Sequence, residues 1–159
     1  MSTTANDSHW RAETDEHGIR WLYLDKTDSS TNVLAKSVLE QLDAFLDQAI
    51  ADHVKGLIIT SAKANGFIAG ADVTEFTNLT DPSQAHALIS QGQKVLQKIA
   101  ALPFPSLSLI HGFCLGGGAE LSLATRYRIA DDDAKTRIGF PEVKLGIHPG
   151  FGGTVRLPP

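Results

Sequence analysis

HGFCLGGGAELSLATRYRIA, residues His111 to Ala130, is the stretch whose reading decides the fold. Ser106 to Ile110 is a strand candidate that runs directly into Gly112 to Glu120. A short helical segment follows through Ala124, and Tyr127 to Ala130 is a further strand candidate. Strand, glycine turn, helix and strand at these lengths argue for an α/β domain with right-handed crossovers.

Working outward, the same alternation continues upstream. Asp81 and Pro82 have the residue types of an N-cap and first helical position, and Leu88, Val95, Leu96 and Ile99 share a helix face that Pro103 and Pro105 close. Before that helix lies a loop, Gly66 to Asp72 (GFIAGAD), whose glycines flank small and apolar residues and let the backbone be approached closely. Leu57 to Thr60 reads as a strand buried on both faces, as parallel strands are. Val38, Leu39, Leu42, Phe45, Leu46, Ala49 and Ile50 recur at intervals of three and four, the stripe of a helix that Gly56 stops. Ile19 to Leu24 is a strand candidate, followed by a polar, turn-forming segment to Asn32. Residues 1–18 are polar and aperiodic and read as a flexible leader. From Gly139 to Pro159, Gly or Pro punctuates a segment with little periodic structure, and the chain ends without a closing element, as if cut.

Composition narrows the functional classes. With 159 residues, 42% apolar and 20% charged, the chain can bury one sizeable core and is too short to promise two. A net charge of -4 without a basic run gives no electrostatic footprint for nucleic acid. No apolar stretch approaches the roughly 20 residues of a membrane-spanning helix, and the opening MSTTANDSHWRAETDEHG lacks the apolar core of a secretory signal, so the expected location is cytoplasmic. The single cysteine, Cys114, has no His beside it and reads as a small buried apolar residue. The His residues are scattered, no metal-ligand spacing emerges, and His111 and His148 read as loop or packing residues.

Gly116, Gly117 and Gly118 would expose backbone N–H groups at the positive end of a helix dipole, where an anion can be held. Their spacing matches neither a dinucleotide fingerprint nor a P-loop, so a developing oxyanion is the better candidate. Glu120 follows on the first turn of that helix, and Glu142 follows Pro141 in another glycine-flanked loop. Two carboxylates at a shared site can divide general-acid and general-base roles. The residues alone leave a plainer reading open, with the glycines a structural turn, Glu120 a helix-start residue and Glu142 a surface acid. In the GFIAGAD loop, Ala69 N–H could supply a second donor, while Asp72 is expected to cap a short helix starting at Val73. Gly150, Gly152 and Gly153 are expected to shape the loop behind Glu142.

Three stretches, GFIAGADVTEF (Gly66 to Phe76), HGFCLGGGAELSLATRYRIA and IGFPEVKLGIHPGFGGTVRLP (Ile138 to Pro158), resemble the signature segments of the crotonase (enoyl-CoA hydratase/isomerase) superfamily, in their usual order. The resemblance runs from about Ile19 to the end and is specific because three separated motifs agree. In detail it is most similar to the subgroup formed by hydratase portions of multifunctional fatty-acid oxidation chains, which DSSTNVL (Asp28 to Leu34) also fits. The resemblance implies a ClpP/crotonase spiral of β-β-α units, truncated at its C-terminus, with residues 19–159 forming an acyl-CoA domain that lacks its C-terminal helices.

Carried onto matching positions, the resemblance implies that the amides of Ala69 and Gly117 bind a thioester oxygen. Ala69, Gly70, Ala71, Asp72, Gly116, Gly117 and Gly118 would contact substrate, and Glu120 and Glu142 would activate the water that adds to a 2-enoyl-CoA. The same pair could shuttle a proton in a Δ3-to-Δ2 isomerisation. Coenzyme A thioester is then substrate and no cofactor is implied, with NAD entering only if a dehydrogenase domain follows. Association as a homo-oligomer or with a thiolase subunit is implied for the full-length protein. Two other readings remain: a non-catalytic acyl-CoA-binding scaffold, and another superfamily reaction such as thioester hydrolysis.

Overall fold

A computed structural model describes residues 8–77 and 80–157. Its framework starts from β2 (Ile19–Leu24), where alternation puts Leu22 and Leu24 inside and leaves Trp21 and Tyr23 half-buried on the outer face. Next comes α1 (Lys36–Ala51), whose Val38, Leu39, Leu42, Leu46 and Ala49 are buried. Each of the buried Val and Leu side chains stabilises the packed state by about 1.5–3 kcal/mol, enough for the stripe to dock the helix.

After α1 the chain alternates between two sheets. β3 (Gly56–Ser61) joins the first and β4 (Gly66–Ile68) the second; α2 (Val73–Thr77) and α3 (Pro82–Ala100) return it to β5 (Ser106–Ile110). β6 (Phe113–Leu115), α4 (Gly117–Ala124), β7 (Tyr127–Ala130) and β8 (Arg137–Gly139) repeat the pattern. A 3-10 turn over Pro141–Leu145 and α5 (Gly153–Arg156) follow. The larger sheet, opened by β1 (Trp10–Thr14), has the order β1-β2-β3-β5-β7, parallel from β2 to β7, and the smaller has the order β4-β6-β8 with all pairs parallel. This two-strands-then-helix progression is the expected spiral.

The leader expectation is corrected. β1 (Trp10–Thr14) pairs antiparallel with β2, Trp10 opposite Leu24 and Thr14 opposite Arg20. Trp10 is 3% exposed and its Nε1 donates to the Val38 carbonyl at 3.0 Å. WRAET reads as polar because it is an edge strand with charged outward residues; Arg11 stacks over the Tyr23 ring at 4.0 Å. The part of the expected leader at residues 1–7 lies outside the described residues.

Two more corrections concern short pieces. The GFIAGAD loop begins as β4, and the stretch before the glycine turn contains β6; three-residue strands are too short for periodicity to reveal. Gly56 does not stop α1. His53, at φ +51°, turns the chain out of the helix, and Gly56 opens β3.

Asn32, within the turn-forming segment, is fully buried. Its Nδ2 donates to the Leu24 carbonyl (3.0 Å), Ser61 Oγ (2.8 Å) and the Phe67 carbonyl (3.3 Å), while Oδ1 accepts from Lys26 N (2.9 Å). One side chain therefore ties β2, β3 and β4 together just ahead of Ala69.

Gly118 lies against β4: a methyl group there would sit 2.5 Å from the Ile68 carbonyl oxygen and 2.7 Å from its Cβ. Gly118→Ala should therefore destabilise the protein by about 1–3 kcal/mol, the scale of overpacking a close-packed core. A urea melt in which Gly118→Ala matches the parent would remove this account of the third glycine.

Candidate active site

β6 ends against α4 at Gly116, which adopts φ +50°, a conformation that costs a side-chain-bearing residue. Gly116 N–H is occupied, donating to the Gly139 carbonyl at 2.9 Å. Gly117, first in α4, has no helical acceptor for its N–H, as at every helix start. Among the described residues its amide donates no hydrogen bond.

Glu120, one turn into α4, is 1% exposed. Its Oε1 accepts from Phe151 N–H and Gly153 N–H, each at 2.7 Å, and Oε2 makes no hydrogen bond among the described residues. Glu142, in the 3-10 turn, is 9% exposed. Its Oε1 lies over Gly116, 2.8 Å from where a Cβ would stand, and its buried Oε2 has no partner among the described residues.

Both carboxylates line one cavity of about 430 Å³, together with Ala71, Gly117 and His148 and an apolar wall that includes Val73, Ile89, Leu145, Ile147 and Phe151. Burial pushes the Glu120 carboxyl above the usual carboxylate range, the nearby Glu142 charge adds to the rise, and the two amides and Arg156 oppose it. A buried, amide-anchored carboxylate with raised proton affinity is a stronger base than an exposed one. Burial also pushes the Cys114 thiol up to about 11, so it is no thiolate nucleophile.

The expected donor Ala69 is corrected. Its N–H donates to the Asn32 carbonyl at 2.9 Å and is not available to a ligand. In the parallel bridge between Leu34 and Ala71, Leu34 N–H donates to the Gly70 carbonyl (2.8 Å) and Asp72 N–H to the Leu34 carbonyl (3.2 Å). That pattern turns the intervening Ala71 N–H to the opposite side, toward α4. Ala71 N stands 3.2 Å from where a Gly117 Cβ would be, and it donates no hydrogen bond among the described residues. The two unoccupied amides at the cavity are therefore those of Ala71 and Gly117.

Of the residues expected to contact substrate, Ala71 and Gly117 line the cavity, whereas Ala69, Gly70, Asp72, Gly116 and Gly118 do not. Gly70, at φ +139°, shapes the loop, and Asp72 Oδ1 accepts from Thr74 N–H at 3.1 Å, the capping geometry expected of it. Gly150 to Gly153 act less behind Glu142 than on Glu120. Sequence reasoning missed the Phe151 and Gly153 donors because backbone amides carry no residue signature. His111 sits outside the cavity, its Nε2 2.7 Å from the Lys63 carbonyl. Among the described residues no His, Cys, Asp and Glu cluster could hold a metal ion, and no helix is long and apolar enough to cross a membrane.

The two-sheet spiral, with paired carboxylates beside free amides at a helix start, defines a protein of the crotonase fold class. The chain belongs to the enoyl-CoA hydratase/isomerase family, whose model matches residues 15–159. It is 45% identical over 155 residues to the fatty acid oxidation complex subunit alpha of Aliivibrio fischeri, a match covering 96% of this chain and 23% of that protein. To the subunit of the same name from Vibrio campbellii it is 45% identical over 145 residues, covering 91% of this chain and 21% of that one. Its fold matches the crystal structure of an enoyl-CoA hydratase from Bacillus anthracis with a TM-score of 0.85 at 32% identity, covering 95% of this chain and 57% of that one. The chain thus spans about a fifth of the curated relatives and over half of the solved enzyme.

Proposed function

We propose that this chain hydrates 2-trans-enoyl-CoA to 3-hydroxyacyl-CoA within fatty-acid β-oxidation. The observation that carries the proposal is the meeting of Glu120, Glu142 and the unoccupied amides of Ala71 and Gly117 at one cavity. The substrate thioester oxygen is placed between those amides, which polarises the conjugated double bond. Glu120 Oε2 takes a proton from water as the water oxygen bonds to C3. Electron density moves through C2 to the thioester oxygen, where the two donors stabilise it, and Glu142, in the state of the pair that holds one proton on it, delivers that proton to C2 as the carbonyl re-forms. The proton taken up by Glu120 passes back to Glu142 before the next turnover. Each oxyanion donor of this kind is worth about 2.7–4 kcal/mol in other enzymes. The apolar wall fits an acyl chain, and the coenzyme A thioester is substrate with no further cofactor in this step.

The same carboxylates would serve a Δ3-to-Δ2 isomerisation, removing a proton from one carbon and returning it to another, and this is proposed as a second activity. Spectrophotometry separates the possibilities. Hydration of crotonyl-CoA removes its conjugated enoyl-thioester absorbance, whereas isomerisation of a 3-enoyl-CoA creates it. Release of free coenzyme A thiol would point to thioester hydrolysis. A folded protein that leaves both acyl-CoA substrates unchanged would turn the reading toward a binding scaffold.

A further inference from the structure

The segment from Gly150 to Gly153 faces Glu120 on one side and is tied down from the other. Its three glycines give it little conformational preference of its own, so its place over Glu120 depends on outside anchors. A second groove of about 500 Å³, which shares Phe151 with the acid–base cavity, runs between α3 and α5. From that groove Arg156 Nη1 donates to the Phe151 carbonyl at 2.8 Å, and Nη2 reaches Gln97 Oε1 at 3.4 Å. Gln93 Nε2 donates to the Gly150 carbonyl at 2.8 Å. The Phe151 ring is seated where Gly92 leaves room, since a Cβ there would stand 2.5 Å from its Cε1. Residue 151 therefore carries a guanidinium on its carbonyl and the Glu120 carboxylate on its N–H.

We propose that Arg156 is a positioning residue for the acid–base site, holding residue 151 and the start of α5 so that both amides stay on Glu120 Oε1. Gln93 alone would fix only Gly150. The kinetic part of the proposal rests on the hydratase reading of Glu120; the structural part does not. The ionisable groups around Glu120 are Glu142 in the 3-10 turn, Arg156 on α5 and His148 in the cavity wall, while α3 presents the neutral Gln93 and Gln97 to the loop and the cationic Lys94 to the second groove. Loss of Arg156 removes the cation and loosens the two donors. Both changes favour the neutral carboxyl, so Glu120 ionises at higher pH, and the acidic limb of kcat/KM for a base moves up with it.

The test is a carbon-13 NMR titration of the Glu120 carboxyl, identified through Glu120→Gln, in the parent, Arg156→Met and Arg156→Lys. The expected result is a higher midpoint in Arg156→Met, a near-parental one in Arg156→Lys, and recovery of Arg156→Met by millimolar methylguanidine entering through the second groove. Turnover of crotonyl-CoA by Arg156→Met should fall about tenfold or more, the scale of misplacing a reacting group, with KM changed little. A folded Arg156→Met whose Glu120 titrates like the parent, or whose defect neither methylguanidine nor Arg156→Lys relieves, overturns the proposal. A shifted titration in a protein that never turns over crotonyl-CoA upholds the positioning role and overturns the hydratase reading instead.

Discussion

Glu120→Gln should lower crotonyl-CoA turnover by about 10²–10⁴-fold, the range for removing a general acid or base, and leave a protein more stable than its parent at neutral pH. The glutamine oxygen can accept the same two amide hydrogens, from Phe151 and Gly153, so the packing is kept while the proton acceptor is lost. The stability gain follows from the sign of the perturbation. Burial and the Glu142 charge raise the Glu120 carboxyl above its ordinary value of 4.5 in the folded protein. The folded state then binds a proton that the unfolded chain releases, and stability falls as pH rises from the unfolded value through the raised folded one. Glutamine is spared that loss. A gain of about 0.5–2 kcal/mol is expected near pH 7.5, as where activity is maintained at a cost in stability. Below pH 4 it should vanish. Urea denaturation at both pH values decides the matter, and a Glu120→Gln protein equal to the parent at neutral pH would show that burying the carboxylate costs nothing here. Glu142→Gln should lose activity on the same scale.

Asn32→Ala should destabilise the domain strongly. It removes the donor to the Phe67 carbonyl and the acceptor of Lys26 N–H, while the Leu24 carbonyl keeps Ala62 N–H and Ser61 Oγ keeps Lys63. At about 1–3 kcal/mol for each buried group left unpaired, with partial rearrangement, a loss of about 2–4 kcal/mol is expected. In a domain of this size that lowers the melting temperature by roughly 5–15 °C. The kinetic effect should exceed what unfolding explains, because Asn32 also accepts the Ala69 N–H through its own carbonyl and so sets the loop that presents Ala71. Turnover of the fraction that remains folded at low temperature should therefore drop. An Asn32→Ala protein that melts with the parent would mean that the hub is dispensable.

The spiral's larger pieces were legible in the chain because each carries its own periodicity. The α1 stripe, the Asp81–Pro82 start of α3, the strand at Ser106–Ile110 and the glycine turn into α4 read correctly from residue type and spacing. Trp10–Thr14 did not, because an edge strand with a single deeply buried aromatic shows no pattern that differs from a polar tail. β4 and β6 were hidden by their length. Within the candidate site, the residues with distinctive chemistry were legible, and Glu120, Glu142 and Gly117 line one cavity. The mistaken donor, Ala69 for Ala71, is a matter of which way a peptide faces, and neighbouring alanines around Gly70 are chemically alike.

Side-chain chemistry and hydrophobic period are properties of residues, so the sequence alone determined the α/β class, the pair of carboxylates and the glycine turn at the start of α4. Direction and occupancy are properties of the packed chain. Only the tertiary structure decided that the Ala69 amide is taken by Asn32, that the Ala71 amide is free beside Gly117, and that the Phe151 and Gly153 amides are closed on Glu120. A backbone N–H is the same group at every such position, and its availability depends on which acceptor the fold brings to it.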